Sequence, residues 1–396
     1  MPRTVRINAD FIGANHKNQP HLHSFPYRPG CTFAAQTKHP FLRSTFKSRS
    51  SRPVAIWLLI GVFMVIVQVI LGGITRLTGS GLSITEWNVV TGALPPLNQG
   101  QWLAEFHKYQ QSPQYRLLNS DFQLSDFKFI YFWEWFHRLW GRLIGIVFAV
   151  PFVVFLVQRR FRQDMIKPLL VLFILGGLQG AIGWIMVASG LEGDAIYVKP
   201  TRLALHFIFA LGLLCYTFWF ALQLLTDPHD KVTAPRLRAG TWAIVGLLGV
   251  QLIYGALMAG LRAAPAAPTW PDINGSYVPR LFPNGLVSAF EDRITIHFIH
   301  RNLAYALTVL IFVWTYRSFR RRPTALFAIT RILPLLLVLT QVALGVATVL
   351  TSVHIRPTKW NDFEWMAQLH QFVAMLLLLS LVANAFLLRN KRTTLF

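Results

Sequence analysis

Charge is scarce in this chain. Only 14% of its 396 residues are Asp, Glu, Lys or Arg, about half the share of an ordinary soluble chain. Acidic residues are scarcer still, 16 against 38 basic ones. Cysteine is nearly absent. Cys31 lies in a basic N-terminal stretch and Cys215 inside an apolar run, which excludes a disulfide framework, a cysteine zinc site and a Cys-x-x-C redox pair. What fills the chain is hydrophobic residues, 54% of the total. They gather in eight runs of roughly twenty residues, each long enough to cross a hydrocarbon layer about 30 Å thick. A soluble enzyme, a disulfide-stapled secreted domain and a disordered protein are excluded. The sequence predicts an all-α integral membrane protein with transmembrane helices near 54–75, 133–157, 168–188, 203–225, 239–260, 294–316, 328–350 and 364–388.

The net charge of +22 is not a nucleic-acid signal once it is located. Residues 1–53 hold nine Lys/Arg against Asp10 alone, and most of the remainder sits in the loops 158–167, 226–238, 317–324 and 389–392. The loops 76–132, 189–202, 261–293 and 351–364 each balance to zero. Because cytoplasmic loops collect Lys and Arg, the basic set faces the cytoplasm and both termini lie inside. The 1–53 segment has the composition of a mitochondrial transit peptide, but four histidines and several prolines interrupt any amphipathic helix. A disordered basic tail, and with it a bacterial plasma membrane, is favoured over a mitochondrial inner membrane. The outer loop 76–132 is too long to lie structureless; Trp87, Trp102, Tyr109, Tyr115 and Phe127 predict a packed cap.

The two halves of the chain repeat. Gln68-x-Ile70-x-Gly72-Gly73 matches Gln251-x-Ile253-x-Gly255-Ala256, and His137-Arg138 matches His300-Arg301. Gln179-x-Ala181-Ile182-Gly183 matches Gln341-x-Ala343-Leu344-Gly345, and Leu205-His206 matches Leu369-His370. Four spans per half is an even number, so the halves share one orientation. The prediction is two tandem four-helix bundles, 54–225 and 239–388, related by a pseudo-two-fold axis along the membrane normal, with a short cytoplasmic tail at 389–396.

His137, His206, His300 and His370 fall four to eight residues into the even-numbered spans, which all run inward, so all four imidazoles are expected at one depth. An ionisable residue inside a span is costly and marks a functional interior. Two imidazoles per half, with no carboxylate or thiolate to complete a tetrahedral set, suit the two axial positions of a heme held between facing helices. Arg138 and Arg301 are candidates to pair with propionates. The halves differ at Glu134, one turn before His137 on the same face; its counterpart is His297. A carboxylate beside one site points to acid–base chemistry there and to electron transfer or a structural role in the other half.

The stretch Gly72-Gly73-Ile74-Thr75-Arg76-Leu77-Thr78-Gly79-Ser80-Gly81-Leu82-Ser83, with Glu86-Trp87 and Thr91-Gly92-Ala93-Leu94-Pro95-Pro96, closely resembles the first outer loop of the heme A synthase family. So do Glu134-Trp135-Phe136-His137-Arg138 and Phe298-Ile299-His300-Arg301. The resemblance covers about 54–388 and is to the subgroup without an outer-loop cysteine pair. It implies oxidation of the C8 methyl of heme O to the formyl group of heme A by successive hydroxylations, with oxygen from water and an electron acceptor that the sequence does not name. It implies a substrate heme with Glu134, His137 and His206 as catalytic residues, and a heme b held by His300 and His370. As partners it implies membrane lipid, heme O synthase and cytochrome oxidase assembly factors, and no nucleic acid; a homo-oligomer is compatible with it. The rival reading is a diheme b-type electron-transfer cytochrome without substrate turnover.

Overall fold

Leucine, isoleucine, valine and phenylalanine dominate the apolar runs, and in hydrocarbon such runs must satisfy every backbone group internally. They do so as helices. The computed structural model describes residues 51–86, 91–355 and 360–389, all within one unit, 47–396. The basic tail with Cys31, Trp87 and the last seven residues lie outside the described residues. Among the described residues there is no strand. Eight helices of the described residues are long and apolar enough to cross a membrane. In chain order the helices are α1 (Ser51–Leu77), α2 (Gln99–Gln110), α3 (Pro113–Leu118), α4 (Leu124–Val157), α5 (Gln163–Ala188) and α6 (Pro200–Leu225). There follow α7 (Pro235–Gly260), α8 (Ser288–Glu291), α9 (Arg293–Phe319), α10 (Ala325–Thr330), α11 (Leu333–Thr351) and α12 (Asp362–Leu387).

In the first set of four spans, α1 packs on α4 and α6, and α5 packs on α6. In the second set, α7 packs on α9 and α12, and α11 packs on α12 and α9. Across the sets, α6 meets α7 and α12, and α12 meets α1. The largest buried cluster runs through this meeting zone and includes Val65, Leu211, Leu214, Leu248, Ile311 and Met375. Two of these cross-set contacts, α6 with α7 and α12 with α1, differ in chemistry. Ala204, Ala256 and Leu257 make an apolar one. In the other, Gln371 Nε2 donates to Val69 O at 2.8 Å and Gln368 Nε2 to Ile70 O at 3.2 Å. Gly73 faces both amides, and a β-carbon there would collide with them.

The spans end where local chemistry ends them, not where hydropathy does. Residues 124–132, placed by the sequence in the outer loop, are the first turns of α4. Asp126 closes a capping box with Gln123, and Phe127, Ile130 and Tyr131 bury against Phe106 and Tyr109 of α2. Trp102 and Tyr115 complete that cluster, so the expected cap exists, and burial pushes the Tyr109 phenol up to about 12. At the other end of the first span, Ser51–Pro53 belong to α1 rather than to the tail. The seventh span, expected as one helix over 328–350, is broken between α10 and α11. Pro334 has no N–H for the Thr330 carbonyl four residues earlier; Asn384 Nδ2 of α12 supplies the donor at 3.0 Å. Pro151 inside α4 frees the Val147 carbonyl in the same way, and Trp57 Nε1 of α1 donates to it at 2.7 Å.

Candidate functional site

Each intramembrane histidine lies against a glycine of a neighbouring helix. A β-carbon on Gly72 would stand 3.3 Å from His137 Nε2, and one on Gly183 2.8 Å from His206 Cε1. One on Gly255 would stand 3.3 Å from His300 Cε1, and one on Gly345 3.0 Å from His370 Cε1. A side chain at Gly183 or Gly345 would displace the ring, so these glycines let an imidazole lie directly on helix backbone. Gly72, Gly183 and Gly255 are each five residues from the end of their helix, and Gly345 is six. Each ring therefore lies roughly 7–9 Å in from the end of the helix it rests on. His137 is fourteenth in α4 instead of fifth, because α4 starts earlier than the apolar run does.

One turn below each glycine is a glutamine. Gln68 Nε2 donates to His137 O at 3.1 Å, and Gln179 Nε2 contacts both His206 Nδ1 and His206 O at 3.1 Å. Gln251 Nε2 lies 3.4 Å from His300 Nε2 and Gln341 Nε2 3.2 Å from His370 Nε2. All four Oε1 atoms are buried without a hydrogen-bond partner. Comparing the halves pairs Gln68 with Gln251 and Gln179 with Gln341. The structure adds that a single Gln-x-x-x-Gly element recurs four times, once per histidine. That spacing is legible in the sequence, but its role needs the partner helix.

In the second set the rings of His300 and His370 meet edge to face, with centroids 6.3 Å apart and planes at 68°. Two imidazoles on opposite sides of one iron, each nitrogen about 2 Å from it, have ring centres roughly 6 Å apart. His370 Nδ1 lies 3.0 Å from Gln341 O, the kind of anchor a metal-bound histidine ordinarily has on its other nitrogen. The residues present therefore fit a bis-histidine heme. Among the described residues no group of three or more His, Cys, Asp or Glu is placed to hold a metal ion. In the first set, His137 and His206 stand on α4 and α6, the two helices that flank α1.

Glu134 is 2% exposed. Its Oε2 accepts from Ser83 Oγ at 2.7 Å and from the Ile84 N–H at 2.9 Å, and its Oε1 accepts from Arg138 at 2.6 Å. Arg138 also donates to the carbonyls of Ile84 and Glu86. Ser83, which sequence reasoning did not single out, thus belongs to the carboxylate's surroundings. Arg301 holds the equivalent loop of the second set through Asp272 O at 2.8 Å and Ala267 O at 2.9 Å. His297 is fully buried, its Nε2 2.9 Å from Ala263 O and its Nδ1 without a partner. A cavity of about 210 Å³ opens beside Arg138, bordered by Glu86, Trp184 and Glu192. A larger one of about 630 Å³ lies between α9 and α11, lined by Trp270, Tyr305, Thr308 and aliphatic residues. His107, His229 and His354 are exposed and away from these clusters.

Eight helices among the described residues that are long and apolar enough to cross a membrane, with four histidines each set against a glycine of a neighbouring helix, define a multi-pass membrane protein with imidazoles between its helices. The chain belongs to the COX15-CtaA family of cytochrome oxidase assembly proteins, whose model matches residues 55–382. It is 43% identical over 318 residues to the heme A synthase of Cereibacter sphaeroides (strain ATCC 17025 / ATH 2.4.3), covering 76% of this chain and 81% of the relative. It is 44% identical over 354 residues to the heme A synthase of Rhodospirillum centenum, covering 86% and 90%. With the heme A synthase of Maricaulis maris it shares 40% identity over 346 residues, covering 87% and 98%.

Proposed function

We propose that this chain is a heme A synthase, a membrane oxidoreductase that takes heme O as substrate and makes heme A. The observation that carries the reading is the pair of histidine sites with one carboxylate between them: Glu134 stands one turn from His137, and only His297 stands one turn from His300. In this reading the chain is two like four-helix halves related by an axis along the membrane normal, with both termini cytoplasmic in a bacterial plasma membrane. The first half takes the substrate heme on His137 and His206. The second holds a heme b on His300 and His370. The reaction oxidises the C8 methyl to a formyl group by successive hydroxylations, with oxygen from water and electrons passing to an acceptor yet to be identified.

A porphyrin methyl is unreactive, and the heme iron supplies the oxidising power. The protein supplies position and proton handling. His137 and His206 orient the substrate. Glu134 accepts the proton released when water adds at the methyl position, or anchors that water. Its three donors, Arg138, Ser83 and the Ile84 N–H, fix where its oxygens point. Arg138 and Arg301 hold the loops over the two sites and bring positive charge toward the propionates. Heme O synthase and cytochrome oxidase assembly factors are the partners that would deliver substrate and receive product.

The test is expression in a host that makes heme O but no heme A, followed by heme extraction and mass analysis. Heme A should appear with the intact chain. His137→Ala and His206→Ala should abolish it while leaving the second-half heme b in place, and His300→Ala or His370→Ala should remove that heme b. Two stably bound hemes b with no heme A would instead identify a diheme electron-transfer cytochrome.

A further inference from the structure

The two halves differ in how their second and third spans meet. In the second half α9 and α11 pack on one another; in the first, α4 and α5 scarcely touch, and α5 packs on α6 instead. Gly145 of α4 and Gly176, Gly177 and Gly180 of α5 are exposed, and a β-carbon on any of them would meet nothing among the described residues within 4 Å. Aligned on His137 and His300, Gly145 falls on Thr308. Aligned on Gln179 and Gln341, the three glycines of α5 fall on Val338, Leu339 and Val342. Val338 is buried, and the other three line the groove on the packed pair α9 and α11. Glycine is unfavourable inside a helix, and close packing explains it only where a neighbour approaches. At these four positions no neighbour does.

The resulting cleft has a floor and a mouth. Beyond the glycines, on the side away from the histidines, Phe173 of α5 meets Phe148 and Phe152 of α4, with ring centroids 4.6 and 4.9 Å apart. On the histidine side lies the cavity of about 210 Å³, bordered by Arg138 of α4 and by Trp184, Val187 and Ala188 of α5. The glycines lie between the two. Gly145 is two turns along α4 from His137, and Gly180 is one turn along α5 from Gly183, on which the His206 ring rests. The cleft therefore opens beside both histidines of the first half.

We propose that this cleft is the doorway through which heme O enters from the bilayer and heme A returns to it, while the second half, packed at the same place, keeps its heme. Heme O carries a long isoprenoid tail, so it reaches a membrane enzyme through lipid and not through water. A porphyrin passes edgewise as a thin plate, and helices faced with glycine leave a slot without side chains to displace. The charge of Arg138 at the mouth suits the propionate edge, and the apolar remainder suits the tail. The inference rests on the assignment of the substrate to the first half made above.

The test uses the full chain in lipid nanodiscs, with heme O offered from phospholipid vesicles. Absorbance of the bound heme follows uptake, and transfer to excess empty vesicles follows release. Gly145→Thr, Gly176→Val, Gly177→Leu and Gly180→Val together give the first half the residues of the second. Uptake and release should both slow by about tenfold or more with final occupancy kept, because a doorway alters rates and leaves the site intact. Alanine at the same four positions favours the helices without filling the cleft, and should leave exchange within about twofold of the original rate. Gly177→Leu with Gly180→Val alters α5 alone and should slow exchange in the same direction, should the fourfold variant fail to fold. Unchanged rates in the filled variants would mean that the cleft holds bilayer lipid only, and would overturn the proposal. So would equal slowing by the alanines, or loss of occupancy in the filled variants, which would make the cleft part of the binding site itself. His137→Ala and His206→Ala separate this from the reading beneath it. If heme O still bound both variants as tightly, the assignment of the halves would be wrong, whatever the cleft does.

Discussion

Glu134 and His297 stand three residues before His137 and His300, and their surroundings give them different work. Glu134 gathers an arginine, a hydroxyl and a backbone N–H on one carboxylate. His297 lies against the Ala263 carbonyl and is sealed from solvent. Glu134→Gln keeps the shape and an acceptor oxygen but removes the charge and the proton-accepting ability. Substrate heme should still bind, since His137 and His206 are intact, and heme O or a hydroxylated intermediate should accumulate. Loss of a positioned acid–base group costs on the order of 10²–10⁴ in rate. His297→Ala should cost much less heme A. Extraction and mass analysis of the bound hemes checks both, and near-normal heme A from Glu134→Gln would leave that carboxylate with only its loop-anchoring role. The special position of Glu134 is legible from the repeat alone. Its bond to Ser83 is not, because the two residues stand 51 positions apart and meet only through the return of the chain over α4.

At the scale of the helices, two prolines show how packing repairs what local sequence breaks. Pro151 and Pro334 each leave a carbonyl without its own-helix donor, and Trp57 and Asn384 on other helices provide one. Trp57→Phe keeps the ring packed on Phe148 but leaves the Val147 carbonyl unpaired. Stability of the detergent-solubilised protein should fall by about 1–3 kcal/mol, the cost of a buried unpaired polar group. In a Pro151→Leu background the helix supplies its own N–H, so the same substitution should cost clearly less. Denaturant titration of the four proteins of this cycle measures the difference, and equal losses in both backgrounds would refute the role given to the indole. Hydropathy finds each span, since it follows from long apolar stretches. It misses the start of α4, because Asp126 and Lys128 interrupt the apolar run there while the helix continues, its Phe127 and Ile130 buried by the cap.

The whole molecule has a direction across the membrane, and the charge distribution of the loops sets it. With Cys31 and Cys215 replaced by serine, Ser120→Cys and Arg321→Cys place single thiols at exposed positions at opposite ends of the bundle. In intact cells an impermeant thiol reagent should label the first and reach the second only after permeabilisation. Labelling of both from the same side would reject the inward-facing termini. It would also remove the ground for placing the histidine level near the outer surface.

The sequence by itself determined the class of protein, the eight spans, the four histidines and the repeat that pairs them. All of these rest on composition, run length and fixed spacing along one chain, which need no knowledge of neighbours. Only the tertiary structure decided which side chains and carbonyls meet His206, His300 and His370, and against which glycine each of the four rings lies. It also decided that Arg138 and Arg301 grip loop carbonyls, and that Gln368 and Gln371 stitch α12 to α1 across 302 residues or nearly so. A hydrogen bond depends on the direction of two groups within about 3 Å. Residues far apart in sequence acquire such directions only when their helices pack, and no periodicity along the chain encodes them.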